Sequence, residues 1–390
     1  MNELAPKPKI FIFSTAYLPM IGGAELAIKE ITDRLADDFD FVLLTTRLKR
    51  SLPKCERIGR VQIRRFGSGL LPYLDKALSP FLAAYFVYKF MKKHPVHLFW
   101  SMMVTFTSGA PFILKFLGLD KNVPILLSLQ EGDTEDHLRS ANLGLTGLAW
   151  KLAAPRATKV QTISFYLKKL AVKFGVNLAE TEVVPNGVDL ENFSRRLQPD
   201  RVKELRIRLG LPTGKPIIIT ASRLVRKNGI DILIKSLADI PEARLLIAGA
   251  GPQEKELRNL ARKLKKEKMI HWLGSVNHKK LAEFLAISHV FARPSRSEGL
   301  GSAFLEAMAS GLAVVATNVG GIPDFLIHQK TGLFCKTEDP EDLAFQIRLL
   351  LYNRELRENI ASAGQKLVFQ NYSWDKVAGS MRQIFLRLLK

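Results

Sequence analysis

Apolar and polar positions along the chain fall into two alternating textures. Short apolar runs read as strands at Ile10–Ser14, Phe41–Thr45, Val61–Phe66, Leu98–Ser101, Ile125–Leu129, Lys159–Ile163 and Glu182–Val184. Stretches with helical periodicity lie between them, such as Ala24–Ala36 and Phe81–Lys92. The polar, charge-dense segment Asn192–Lys215 closes in Pro-Thr-Gly-Lys-Pro and reads as a domain connection. A second series follows, with strands at Ile217–Ala221, Arg244–Ala248, Met269–Trp272, His289–Ala292 and Val314–Ala316. After Pro340 the pattern is helical, ending in a basic amphipathic helix that runs from Ser373-Trp374 to Lys390. Strands alternating with helices predict doubly wound α/β sheets. Two such series in 390 residues predict two domains. The boundaries expected are 1–195 and 196–370, with a helix at 371–390 packing toward the first domain.

Composition narrows the class. The chain is 47% hydrophobic, which excludes a disordered one. Cys55 and Cys335 lie far apart without metal-ligand spacing, which fits a reducing cytoplasm. Lys9–Ser14 is too short for the apolar core of a signal peptide. His94–Leu114 carries no Lys, Arg, Asp or Glu, yet Ser101, Thr105, Thr107, Ser108 and Gly109-Ala-Pro111 break it into strand, turn and helix. Membrane contact is therefore expected to be peripheral, at the inner face. The 58 Lys+Arg against 37 Asp+Glu give a formal charge of +21, spread over both halves. Such a field attracts nucleotide phosphates, anionic lipid or nucleic acid. No zinc-finger, RRM, KH or helix-turn-helix signature accompanies it, so no nucleic acid partner is expected.

The most informative stretch lies between Arg293 and Thr317. An apolar strand runs into a Gly-rich turn, Glu298-Gly299-Leu300-Gly301, which opens a helix without a bulky charge in its first turn. Free amides and the positive dipole end make such a helix start a site for a phosphate or diphosphate. Glu298 stands at the mouth and Glu306 two helical turns on, so each can meet a different hydroxyl cluster. A sugar at one end of a diphosphate and a ribose at the other satisfy that spacing. A core helix with Glu306 as a cap is the plainer reading of the same residues.

Further motifs occur in a fixed order. Gly22-Gly23-Ala-Glu25 follows the first strand, and Val184-Pro-Asn186-Gly187-Val-Asp189 precedes the connection. Ser222-Arg223-Leu-Val-Arg-Lys227-Asn228-Gly229 opens the second series, with Ala248-Gly249-Ala-Gly251-Pro252 next; Gly320-Gly321-Ile-Pro-Asp324 comes last. With Glu298-x7-Glu306 in its place, this set resembles the family 4 retaining glycosyltransferases of the GT-B fold, over nearly the whole chain. The resemblance implies two Rossmann-like domains facing a central cleft and a nucleoside-diphosphate sugar as donor. It implies a glycan or lipid-linked acceptor and retained anomeric configuration through a front-face mechanism. No metal or other cofactor is expected, because neither Asp38-Phe-Asp40 nor the seven scattered His suggests a metal site and a cationic diphosphate clamp removes the need for one. Arg223 and Lys227 would clamp the diphosphate, with Asn228 beside them; Gly299, Leu300 and Gly301 would offer amides. Glu298 would hold sugar hydroxyls and Glu306 the ribose, while Gly22 and Gly23 would let backbone approach the donor. Gly251, Ser275 and Val276 would lie on the nucleobase side.

The chain departs from the family pattern twice. Asn228 stands where a Lys usually precedes the Gly, so the Lys role passes to Lys227. Gln130 stands where a His is common. It can hydrogen-bond a sugar hydroxyl but cannot titrate, leaving Glu131 or Asp133 as a possible base for the acceptor proton. Asp38-Phe-Asp40 matches the metal motif of a different glycosyltransferase fold and reads as solvated surface. The alternative function is a catalytically impaired relative that binds nucleotide or membrane without transfer. Finally, Leu70–Lys93 is aromatic-rich and ends in Lys89, Lys92 and Lys93. It reads either as a helix packing its aromatic face on the first sheet or as one lying on an anionic bilayer.

Overall fold

The computed structural model describes residues 6–20, 22–141 and 144–390. They form two compact units. Unit 1 comprises the described residues up to Asn186 together with Trp374–Lys390, and unit 2 comprises Gly187–Ser373.

The strands of unit 1 are β1 (Lys9–Phe13), β2 (Asp40–Thr46), β3 (Cys55–Ile58), β4 (Val61–Phe66), β5 (Leu98–Met102), β6 (Ile125–Leu129), β7 (Lys159–Thr162) and β8 (Thr181–Val183). They join as one sheet in the order β3-β4-β2-β1-β5-β6-β7-β8. Among the described residues only the β3–β4 pair is antiparallel. In unit 2, β9 (Ile217–Ala221), β10 (Arg244–Ala248), β11 (Ile270–Gly274), β12 (Val290–Arg293), β13 (Ala313–Thr317) and β14 (Leu333–Cys335) pair in parallel, in the order β11-β10-β9-β12-β13-β14. Helices cover both faces of a parallel sheet, so its inner strands are apolar throughout rather than alternating. Strands β5, β6, β9 and β13 are buried along their full length.

Two strands lie outside the sequence reading. The edge strand β3, Cys-Glu-Arg-Ile, alternates exposed and half-buried residues and carries no apolar run. Strand β14 is three residues long and draws its burial from β13. The segment Asn192–Lys215 is not a bare connection: it folds within unit 2, where Pro199–Arg208 is helical. Its charges lie on the outer helix face, and Arg201 reaches Glu204 and Glu283.

The helix begins at Pro72 and runs through Pro80 to Met91, inside the Leu70–Lys93 stretch read as helical and earlier than the Phe81–Lys92 run alone. A proline inside a helix leaves the carbonyl four residues earlier without its donor. Here the Ser79 hydroxyl donates to the Lys76 carbonyl at 2.8 Å, and the helix continues. Its larger surprise is which face it buries. Asp75, Ser79, Pro80, Ala83, Ala84, Val87 and Met91 point inward, with Phe86 and Phe90 against Phe11, while Tyr73, Leu74, Leu78, Phe81, Leu82 and Tyr85 are exposed. The expectation that its aromatic face packs on the sheet therefore holds only for Phe86 and Phe90.

The Trp374–Leu388 helix packs on the Gly23–Leu35 helix within unit 1. Phe385, fully buried, meets Phe39 at 5.5 Å and Trp100 at 5.3 Å between ring centroids. Burying a side chain of this size stabilises by about 1.5–3 kcal/mol. Arg382 pairs with Asp38 at 2.9 Å and holds that carboxyl below the usual range. Asp38 is thus half of an ion pair rather than simply solvated.

Candidate functional site

Every candidate residue of unit 2 except Glu306 lies just past the carboxyl end of a strand. Arg223 and Lys227 follow β9, Gly251 follows β10, Ser275 and Val276 follow β11, and Glu298–Gly301 follow β12. Open parallel sheets bind ligands at this edge, because the loops there project from a rigid frame. After β9 the chain makes a turn that Asn228 braces from within. Its buried side-chain amide donates to the Arg223 carbonyl at 2.7 Å, and the Lys227 carbonyl accepts from the Arg296 amide at 2.6 Å. Arg223 is left exposed and Lys227 half-buried. Asn228 therefore holds the shape of this turn. The next turn leans on it, since Leu224 donates to the Ala250 carbonyl at 3.1 Å. A Cβ at Gly251 would stand 2.4 Å from the Leu224 carbonyl oxygen.

Beneath the Gly-rich loop lies Arg293, the last residue of β12 and 4% exposed. Its guanidinium donates to the Ala221 carbonyl at 3.1 Å, to Ser295 Oγ at 3.2 Å and to Glu298 Oε2 at 2.5 Å, and it stacks 4.2 Å from the Phe304 ring. Burial depresses its pKa, and the Glu298 and Glu306 carboxylates oppose that shift. The other oxygen of Glu298 accepts from the Gly299 amide at 3.2 Å. Its carbonyl accepts from the Gly321 amide at 3.1 Å. Gly320, at φ +56, comes so close that a Cβ would sit 1.8 Å from that carbonyl oxygen. Arg293 and the Gly320–Gly321 turn thus fix Glu298 at the loop mouth. The Ser302–Ala309 helix then starts from Gly301 at φ +91, with no side chain capping its first amides.

Glu306 is buried on that helix, and burial raises its pKa. His278 Nε2 stands 3.6 Å from its Oε1. The sequence reading assigned no role to Arg293 or His278. A strand-terminal Arg after an apolar run was a visible signal for the first; His278 meets Glu306 only through tertiary packing.

The candidates of unit 1 gather at the carboxyl edge of its own sheet. Gly22 caps the Gly23–Leu35 helix without a side-chain bond, and the Glu25 carboxylate folds back on the Gly22 amide. Burial raises the pKa of Glu25. Gln130 Oε1 accepts from Asn186 Nδ2 at 3.0 Å, and a Cβ on Gly23 would touch both side chains. Glu131 does not have the exposure a base for the acceptor requires. It is 5% exposed and accepts from the Gln130 amide at 2.9 Å and the Val104 amide at 3.3 Å. Burial pushes its pKa up to about 7. It ties the end of β6 to the loop after β5. Asp133 is half-buried.

Comparison with known proteins places these edges in context. Residues 21–192 match "Glycosyltransferase Family 4" and residues 201–367 match "Glycosyl transferases group 1". A GDP-mannose-dependent alpha-(1-6)-phosphatidylinositol monomannoside mannosyltransferase of Mycobacterium tuberculosis is 34% identical over 57% of this chain and 60% of its own length. A sulfoquinovosyl transferase of Arabidopsis thaliana is 36% identical over 50% of this chain and 38% of its own. The matched region thus spans well under two thirds of these relatives. Among solved structures, sucrose-phosphate synthase from Thermosynechococcus elongatus superposes with a TM-score of 0.83 at 21% identity, covering 98% of this chain and 99% of that one. The Anabaena protein HepE, in complex with UDP and glucose, does so with 0.79 at 20%, covering 97% and 100%.

Proposed function

The chain belongs to the family 4 glycosyltransferases of the GT-B fold, and from that premise we propose that it moves a sugar from a nucleoside diphosphate to a glycan or lipid-linked acceptor with retention. The observation that carries this reading is the Arg293–Glu298 pair beneath an uncapped helix start. It presents a fixed carboxylate and open amides at the edge where Arg223 and Lys227 also stand. In this reading Glu298 holds sugar hydroxyls and Glu306 the ribose. Arg223, Lys227 and the amides of Leu300 and Gly301 take up the charge that grows on the departing diphosphate, while the Gly299 amide is turned to Glu298. Ser275 and Val276 line the base. The acceptor oxygen bonds to the anomeric carbon as the carbon–oxygen bond to the diphosphate breaks on the same face. The acceptor proton goes to the diphosphate oxygen released, so no carboxylate nucleophile is needed. On unit 1, Gln130 and Asn186 contribute sugar-side hydrogen bonds, and Gly22 and Gly23 leave the backbone approachable.

Replacing Arg223 by Ala tests the clamp. Loss of one preorganised charge-stabilising group removes roughly 2–4 kcal/mol of transition-state stabilisation, about 30- to 1,000-fold in turnover. Since Arg223 is exposed, the unfolding midpoint stays where it was. A variant turning over at the wild-type rate excludes Arg223 from the chemistry.

A further inference from the structure

Unit 1 carries a cavity that the transfer reading does not use. It measures about 600 Å³ and is lined by Pro80, Phe81, Phe112, Phe116, Leu152 and Arg156 among others. That volume lies inside the roughly 300–1,000 Å³ range of small-molecule pockets. Its rim does not close over. Phe116 is 82% exposed, Phe81 60% and Leu152 51%. The exposed stripe of the Pro72–Met91 helix continues from it, at Leu74, Leu78, Phe81 and Tyr85, spaced as one helix face. Leu145 and Leu148 extend it along the helix that carries Leu152. Soluble monomers rarely expose a contiguous apolar surface of this kind without a use for it.

Charge selects the occupant. From residue 67 to 119 the chain has Lys76, Lys89, Lys92, Lys93 and Lys115 against a single acidic residue, Asp75. Asp75 is buried, with its oxygens taken by the Ser68 and Gly69 amides at 2.7 and 2.8 Å. Along this stretch the outward charge is therefore positive. Lys89 lies 4.8 Å from the Tyr85 ring and Lys92 4.5 Å from that of Tyr88, each with its stem along an aromatic side chain. Arg156, exposed and lining the cavity, adds positive charge there. An aromatic, apolar surface bordered by lysines suits the interface of an anionic bilayer, where the stripe meets the acyl boundary and the lysines the phosphates. A protein partner matching it would need its own large apolar patch ringed with acids; a lipid supplies both in one molecule.

We propose that this cavity takes an acyl chain of an anionic phospholipid, with the stripe of the Pro72–Met91 helix seated at the headgroup level around it. The inference deepens the lipid-linked acceptor of the previous subsection and rests on it only for purpose. Its test reads lipid binding, so it can fail while nucleotide-sugar binding stands.

The test is sedimentation of the full chain with vesicles of phosphatidylcholine alone and of phosphatidylcholine with phosphatidylglycerol, at low and high salt. The wild type should bind the anionic vesicles, and more weakly as salt rises. Ala149→Trp fills the cavity from its wall, and Leu152→Glu places a charge on its rim. Each should weaken binding about tenfold or more, the effect of excluding roughly two methylenes. Nucleoside-diphosphate binding, read by thermal shift, should stay as in the wild type and shows that either variant is folded. Leu152→Glu alters an exposed side chain and decides the matter if Ala149→Trp does not fold. Failure of the wild type to sediment with anionic vesicles at low salt overturns the proposal, as does unaltered binding by folded variants. So does a wild-type dimer that Leu152→Glu dissociates, since a second copy would then be the occupant.

Discussion

Arg293 carries its charge where water scarcely reaches, and four partners hold it: a carbonyl, a hydroxyl, a carboxylate and an aromatic ring. Removing one member of a buried ion pair costs about 3–5 kcal/mol, because the other is left uncompensated. Arg293→Met is expected to lose that much stability by denaturant unfolding; a loss below about 1 kcal/mol would show that the pair does not hold the loop. Glu131 gives a second residue-scale prediction. Burial raises its pKa from 4.5 to about 7, so the folded chain holds this proton more tightly than the unfolded one. The stability it contributes is present below about pH 4.5 and is lost as pH rises through 7. At about 1.4 kcal/mol per unit the full effect is roughly 2–4 kcal/mol. Glu131→Gln should flatten the unfolding free energy between pH 5 and 8 relative to wild type; an unchanged slope contradicts the assignment. The sequence pointed to Glu298, Glu306 and Arg223 because Gly-rich turns flank them. It could not reveal that Asn228 turns inward to brace Arg223, or that Glu131 is buried, since both depend on packing from distant strands.

At the scale of elements, alternation of apolar runs was enough to locate the strands whose burial comes from their own residues. Strand β3 escaped because an edge strand needs no apolar run, and β14 because its burial comes from a neighbour. The Pro72–Met91 helix shows the limit from the other side. Pro80 removes a backbone donor, but the Ser79 hydroxyl replaces it and the helix passes through. Which face it buries was not legible, because both faces carry apolar residues. The Trp374–Leu388 helix is read more surely, its buried stripe running Trp374, Val377, Ala378, Met381, Ile384 and Phe385. Phe385 touches Phe39, Phe41 and Trp100. Phe385→Ala should therefore destabilise by about 3–5 kcal/mol, the usual cost of such a core truncation. Measured by urea unfolding, a loss within 1 kcal/mol would mean that the helix is not part of the unit 1 core.

For the whole molecule, the +21 charge is the property that residue and element arguments share. A diphosphate donor and an anionic lipid are both drawn to such a field, at rates and affinities that fall with salt. Among the described residues no helix is long and apolar enough to cross a membrane. No group of three or more His, Cys, Asp or Glu among them is placed to hold a metal ion. The account instead assigns the diphosphate charge to Arg223, Lys227 and the helix start after Gly301. The most direct test is to incubate the protein with a panel of nucleoside-diphosphate sugars and membrane lipid extract, with and without EDTA. Released nucleoside diphosphate and the anomeric configuration of the product are then measured. The account predicts that at least one donor is consumed, that the product keeps the donor's configuration, and that EDTA leaves the rate unchanged. Inversion of configuration, activity abolished by EDTA and restored by manganese or magnesium, or nucleotide binding with no consumption of any donor would contradict it.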